Sequence, residues 1–144
     1  MATDVAEALV AALKADGAIA AAVGTRVYPQ GAVPRTATLP RITYQQVSAD
    51  PVGDHLGGES DTFISWFQVD CWGEFPVSLR ALRRDVRRVM KAAEQTRALA
   101  AFPVQWVRTA GDRDLVEDMG DGGVLFRVGL DVRICHHECE EESP

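Results

Sequence analysis

The densest group of metal-ligating side chains is the run Cys135-His136-His137-Glu138-Cys139. Thiolates and imidazoles are good zinc ligands, but structural zinc sites usually join two separated ligand pairs. The only other cysteine, Cys71, lies inside an apolar segment. If Cys135 ends a strand, Cys139 lies about 13 Å further along, too far for a disulfide. The spacing therefore favours an incidental tail, and we expect neither a bound metal nor a cofactor.

A second group of side chains that could do chemistry is acidic. It could hold a divalent cation for hydrolysis, although the EF-hand order of ligands is absent and hairpin ends are often acidic because Asp stabilises turns. The group consists of Asp112, Asp114, Glu117, Asp118 and Asp121.

Nucleophilic catalysis finds no support in the sequence, because a nucleophile needs a base within hydrogen-bond reach. The only histidines, His55, His136 and His137, fall in segments predicted to be loop or tail. Nucleophile-elbow, zincin and P-loop motifs are absent from the sequence. We predict that the protein is not an enzyme, and a small metal-dependent enzyme is the less favoured alternative.

A basic segment is the stronger candidate for function. Residues 76–98 hold seven Lys or Arg against Asp85 and Glu94, so they carry +5 in a chain whose net charge is −6. The remainder therefore carries −11, which argues against a general nucleic-acid binder and fits charge-steered docking between proteins. We predict that Arg83, Arg84, Arg87 and Arg88 face a partner, the alternative being a solvated helix face.

These candidates must be positioned by two kinds of element. Apolar residues at helical spacing predict helices from Thr3, as N-cap, to about Ala15, and from Pro76 through the basic segment. Strict alternation from Phe126 to Ile134 predicts the last strand of an antiparallel sheet with one face on the core. The sequence predicts an α+β domain over residues 1–134, followed by an acidic tail, 135–144. The sheet should be antiparallel, or mixed, with four or five strands and two main helices on one face.

The 144 residues fit one domain. No run of about 18 apolar residues predicts a membrane span, and the N-terminus lacks the pattern of a signal peptide. We therefore expect assembly in the cytoplasm of the producing cell and no membrane partner.

Four segments follow one another in a particular order between about Ala6 and Ile134: Val23–Pro29, Leu39–Val47, Gln68–Trp72 and Asp112–Ile134. That order resembles the tail-terminator, or tail-completion and head–tail joining, family of long-tailed bacteriophages, prophages and gene-transfer agents.

The resemblance implies a structural virion protein in the neck of the particle. It implies a homo-oligomer, a hexameric ring, that caps the tail tube protein, stops its polymerisation and meets the head connector or stopper protein. DNA would pass through the lumen without specific binding. The segments Gln30–Thr38, Asp50–Asp61 and Asp118–Gly122 are the implied contact loops, and Asp118 and Asp121 are the interface candidates in the last of them. Another neck or minor tail component of the same particle is the alternative.

Overall fold

The computed structural model describes residues 4–53, 61–118 and 124–137. Its elements, in chain order, are α1 (Val5–Ala15), α2 (Gly17–Val23), β1 (Val27–Pro29), β2 (Arg41–Pro51), β3 (Thr62–Gly73), α3 (Pro76–Thr96), β4 (Ala98–Leu99), β5 (Phe102–Pro103), β6 (Trp106–Asp118) and β7 (Val124–His137). Within these ranges, no helix combines the length and the apolar character needed to cross a membrane.

Five strands form the main sheet, in the order β1-β2-β3-β7-β6. The edge strand β1 runs parallel to β2, whereas the other neighbours are antiparallel, and β4 and β5 form a separate short hairpin. The sheet is therefore mixed. The prediction of an α+β fold with a four- or five-stranded sheet is confirmed.

The first helix begins one residue later than predicted. The Asp4 side chain, not that of Thr3, caps α1 by accepting a hydrogen bond from the Glu7 backbone N–H at 2.8 Å. Asp16 caps α2 in the same way, with the Ile19 N–H at 3.1 Å. A carboxylate at this position satisfies backbone donors that the helix leaves free.

The core lies between helices α1, α2 and α3 and one face of the sheet, which we call the inner face. Alternate residues of β3 and β7, including Phe67, Cys71 and Leu130, are fully buried against the apolar side of α3. The helical spacing predicted for α3 is confirmed, because its buried residues recur every three or four positions: Leu79, Leu82, Val86, Met90 and Ala93. Burial raises the pKa of the Cys71 thiol to about 12, which makes it a packing residue rather than a nucleophile.

The last strand ends at a later residue than predicted. Strand β7 continues to His137, so Cys135, His136 and His137 belong to the sheet and not to the tail. The three residues pair with β3, and this pairing gives their backbone hydrogen bonds a partner that the sequence pattern did not reveal. The hairpin turn predicted at residues 119–123 lies outside the described residues.

Candidate functional site

The predicted basic helix packs against an acidic strand of its own chain. Arg83 forms ion pairs with Asp114 at 2.7 Å and Asp112 at 3.7 Å, and Arg80 lies 3.4 Å from Asp114. Arg87 also pairs closely with Asp112. We call this row the α3–β6 seam. It forms because arginines one turn apart on α3 face carboxylates on alternate residues of β6.

Arg83 is the central residue of the seam. Its side chain is only 12% exposed, and it also donates a hydrogen bond to the Arg113 carbonyl at 3.2 Å. The strand reaches this geometry through a bulge between Ala110 and Arg113, where Gly111 has a φ of +66°. An L side chain rarely adopts that conformation, so glycine suits the bulge.

Arg88 lies on another side of α3 and joins the helix to the N-terminal helices. Its guanidinium donates two hydrogen bonds to the Asp16 carboxylate, at 2.9 and 2.8 Å. This hydrogen bonding lowers the pKa of Asp16 below its ordinary value, aided by the Ile19 N–H. Asp16 thus caps α2 and ties it to α3.

Arg84 differs from its neighbours. It is exposed and forms no ion pair with any residue in the described ranges. Of the four arginines predicted to face a partner, Arg83, Arg87 and Arg88 therefore have carboxylates within the chain, and Arg84 is the one left to solvent. Asp118 is described only as the last backbone position of β6, and Asp121 lies outside the described residues. An interface role for these six residues stays a prediction.

The seam predicts unequal effects for two adjacent arginines. We expect Arg83→Ala to lower the free energy of unfolding by about 1–2 kcal/mol, because it leaves Asp112 and Asp114 with weaker pairing in a partly buried setting. Arg84→Ala, the matched control, should stay within about 0.5 kcal/mol. Urea unfolding followed by circular dichroism measures both. Equal losses in the two variants would contradict a structural role for the seam.

The opposite, outer face of the sheet carries the second charged surface, and here each tryptophan is stacked with arginine. Arg133 lies 4.8 Å from the centre of the Trp66 ring, and Arg108 lies 4.6 Å from that of Trp106. Trp72 lies between two arginines of the flanking strands. We call the whole set the arginine–tryptophan face; it consists of Arg41, Trp66, Trp72, Trp106, Arg108, Arg127 and Arg133.

A buried carboxylate lies at the middle of this face. Asp70 is 3% exposed, and Gly129 is its partner on β7. Burial raises the pKa of Asp70, and the nearby Arg127 and Arg113 oppose this rise. Arg113 also pairs with Asp131 at 2.9 Å, and Arg127 lies 3.4 Å from a Glu117 oxygen.

The outer face also carries polar atoms without partners. Five buried side-chain nitrogens or oxygens in the described ranges lack a hydrogen bond, and the strand register places all of them on this face: Arg41 Nε, Trp66 Nε1, Asp70 Oδ1, Arg113 Nη2 and Arg127 Nε. Buried polar groups usually have partners, so within the described ranges this face is the part of the protein with the least complete hydrogen bonding.

Alternation along β3 places Trp66 and Trp72 on one side of the strand, but it does not reveal the arginines that stack on them. The signal was present: Arg127 and Arg133 lie at even spacing on β7, opposite to the apolar residues. Only the register of β7 against β3 shows which arginine meets which ring.

Apolar side chains are exposed at the end of the sheet where β3 leads into α3. Phe75 and Val77 are 68% and 72% exposed, and Val116 and Val124, on β6 and β7, are 65% and 49% exposed. Beside Phe75 is a cleft of about 480 Å³, which the segment Ala37–Pro40 closes on its other side. This segment overlaps the end of the predicted contact loop Gln30–Thr38. Clustered exposed apolar residues are typical of protein contacts.

The Cys/His run does not assemble a catalytic or metal site in the described part of the chain. The buried His136 Nε2 lies 2.7 Å from Ser65 Oγ, and Cys135 Sγ donates to Gln105 Oε1 at 3.5 Å. No three His, Cys, Asp or Glu side chains among residues 4–53, 61–118 and 124–137 are grouped to hold a metal. Cys139 and Glu138 lie outside the described residues.

Comparison with known proteins now defines the family. No curated protein matches the sequence. A chain in a structure titled "Virion of native gene transfer agent (GTA) particle" shares the fold, with a TM-score of 0.65 and 18% identity over 90% of this chain and 91% of that chain. The family model described as "Tail completion protein gp17" matches residues 7–137. The chain therefore belongs to the family of tail completion protein gp17 and is a structural protein of the phage tail.

Proposed function

We propose that this protein ends the tail tube as a ring, stops tube polymerisation and forms the contact with the head connector. The family, and the gene-transfer-agent particle that contains a chain of the same fold, support a place at the tail. The observation that carries the ring is the presence of chemically different exposed surfaces on one small domain. A ring built from identical copies needs two different complementary patches on each copy.

The proposed partners follow from this arrangement. Copies of the chain would form the ring, six in number by the family resemblance, and the ring would lie between the tube protein and the connector or stopper protein. The apolar end with Phe75 and Val116 is suited to a permanent contact, because obligate interfaces are more apolar than transient ones. The net charge of −6 suits a lumen through which DNA passes without adhering.

Assembly would take place in the host cytoplasm before the protein becomes part of the particle neck. A different neck or minor tail role in the same particle is the second candidate, since it would use the same kinds of surface. Catalysis is not part of the proposal. Ser65 and His136 are hydrogen-bonded to each other and both are buried, so this pair offers no nucleophile to a substrate.

The decisive experiment is deletion of this gene in the particle-producing genome, followed by negative-stain electron microscopy. We expect tails of excessive and uneven length lying free beside DNA-filled heads, because nothing would stop the tube or join it to a head. Expression of the wild-type gene in trans is the control and should restore joined particles. Attached tails of normal length in the deletion strain would refute the terminator function and leave a minor tail role.

A further inference from the structure

One part of the arginine–tryptophan face has cations but no anions. Arg108 and Arg133 lie directly opposite each other on β6 and β7, and neither makes an ion pair with a described residue. Like charges that face each other across two strands destabilise the sheet. Arg127 of the same face differs, because it pairs with Glu117 and lies near Asp70.

Aromatic stacking holds both unpaired cations in place. The Arg133 and Arg108 guanidinium groups lie over the half-buried Trp66 and Trp106 rings, with their charged ends exposed. A stacked guanidinium loses less freedom when it binds a carboxylate, because the side chain is already ordered. Arg and Trp are also the residue types that dominate binding energy at protein interfaces. Trp66 Nε1 adds a buried donor without an acceptor.

The charge of the rest of the chain identifies the occupant. Without these two arginines the sequence carries −8, and two of its acid-rich stretches are residues 50–61 and 138–142. The described residues next to these stretches, Pro51, Thr62 and His137, lie at the same end of the sheet as Arg133. Asp61 is 81% exposed there, and Asp50 is exposed.

Ring geometry then favours a second copy over an unrelated partner. Cyclic symmetry rotates one copy onto the next without moving it along the axis, so patches that meet must lie at the same height. Arg133, Asp50 and Asp61 lie at one end of the sheet, so they meet this condition when the strands run along the ring axis. We propose that Arg108 and Arg133, stacked on Trp106 and Trp66, bind carboxylates at the acidic end of a neighbouring copy and so form the subunit contact of the ring. This inference rests on the proposed ring and adds its contact surface.

Two protein variants with complementary charge reversals test the contact. The first, the arginine-reversed copy, carries Arg108→Glu and Arg133→Glu. Sedimentation velocity over a concentration series should show that its self-association is weakened by at least about 100-fold. The matched control is Lys14→Glu with Lys91→Glu, which makes the same charge change at exposed residues of α1 and α3 and should associate like wild type. Far-UV circular dichroism of each variant checks that the fold is retained.

Two further variants, the acid-reversed copies, carry the opposite reversal. One has Asp50→Lys with Asp61→Lys, and the other has Glu140→Lys with Glu141→Lys. An arginine-reversed copy mixed with the matching acid-reversed copy should form a closed ring of alternating copies, although neither assembles alone. Unchanged association of the arginine-reversed copy, or failure of both mixtures, would overturn the inference. The inference would also be overturned if the arginine-reversed copy bound double-stranded DNA less tightly than wild type but self-associated normally.

The deletion strain separates this inference from the proposed function. If deletion produces overlong tails and the arginine-reversed gene restores normal ones, the terminator function stands and the subunit contact is wrong. If deletion leaves the tails normal, the terminator function fails, and the sedimentation result still decides the contact. If deletion produces overlong tails and only the pair of complementary variant genes restores normal length, the result supports both the terminator function and the subunit contact.

Discussion

Replacement of Phe67 by alanine is expected to remove a large part of the stability of the domain. Phe67 is fully buried at the centre of the sheet and is the largest of the side chains with almost no exposure. Its truncation removes apolar contacts and leaves a cavity between β3 and α3, at a cost of about 3–5 kcal/mol. Because small domains are stable by only about 5–15 kcal/mol, such a loss takes from about a fifth to the whole of the margin.

Guanidinium unfolding, followed by the fluorescence of the three tryptophans, measures this effect. Phe75→Ala is the matched control, since Phe75 is 68% exposed and its truncation should change the free energy of unfolding by less than about 0.5 kcal/mol. Phe75 lies in the exposed apolar end, so we expect the Phe75→Ala variant to fold normally. A loss of similar size in the two variants would show that Phe67 does not anchor the core.

The fold followed from the sequence where one period dominates a long segment. Alternation from Phe126 to Ile134 and helical spacing from Leu79 to Ala93 both predicted which side chains are buried, because each element has one apolar side. The edge strand β1 has only three residues, too few for a period to show in the sequence. Its parallel pairing with β2 depends on the path of the intervening chain, which local periodicity does not encode.

The candidate sites were harder to predict because they depend on register. The basic side of α3 was evident from the sequence, but its pairing with Asp112 and Asp114 requires α3 to cross β6 at one particular position. The same limitation hid the arginine–tryptophan face, whose rings and cations are up to about 70 residues apart in sequence. A charged helix and an acidic strand in one chain should therefore be tested first as partners of each other.

The close contact between Gly129 and Asp70 leads to the second large effect on stability. A β-carbon at this position would lie 2.1 Å from Asp70 Oδ1 and 3.1 Å from the Val69 carbonyl oxygen. Asp70 is buried and has little room to move, so we expect Gly129→Ala to lower the free energy of unfolding by about 1–3 kcal/mol. Gly17→Ala is the matched control, because nothing lies within 4 Å of its added carbon.

A double-mutant cycle identifies the cause of that loss. If the Asp70 carboxylate is the obstacle, Asp70→Ala should recover about 1 kcal/mol or more of the loss when it is combined with Gly129→Ala. The single variant Asp70→Ala should cost little, because burial already disfavours the charged carboxylate, as its raised pKa indicates. Additive losses in chemical unfolding would instead attribute the effect to the Val69 backbone. Recovery would show that Gly129 is small because β7 must pass beside a buried acid on the arginine–tryptophan face.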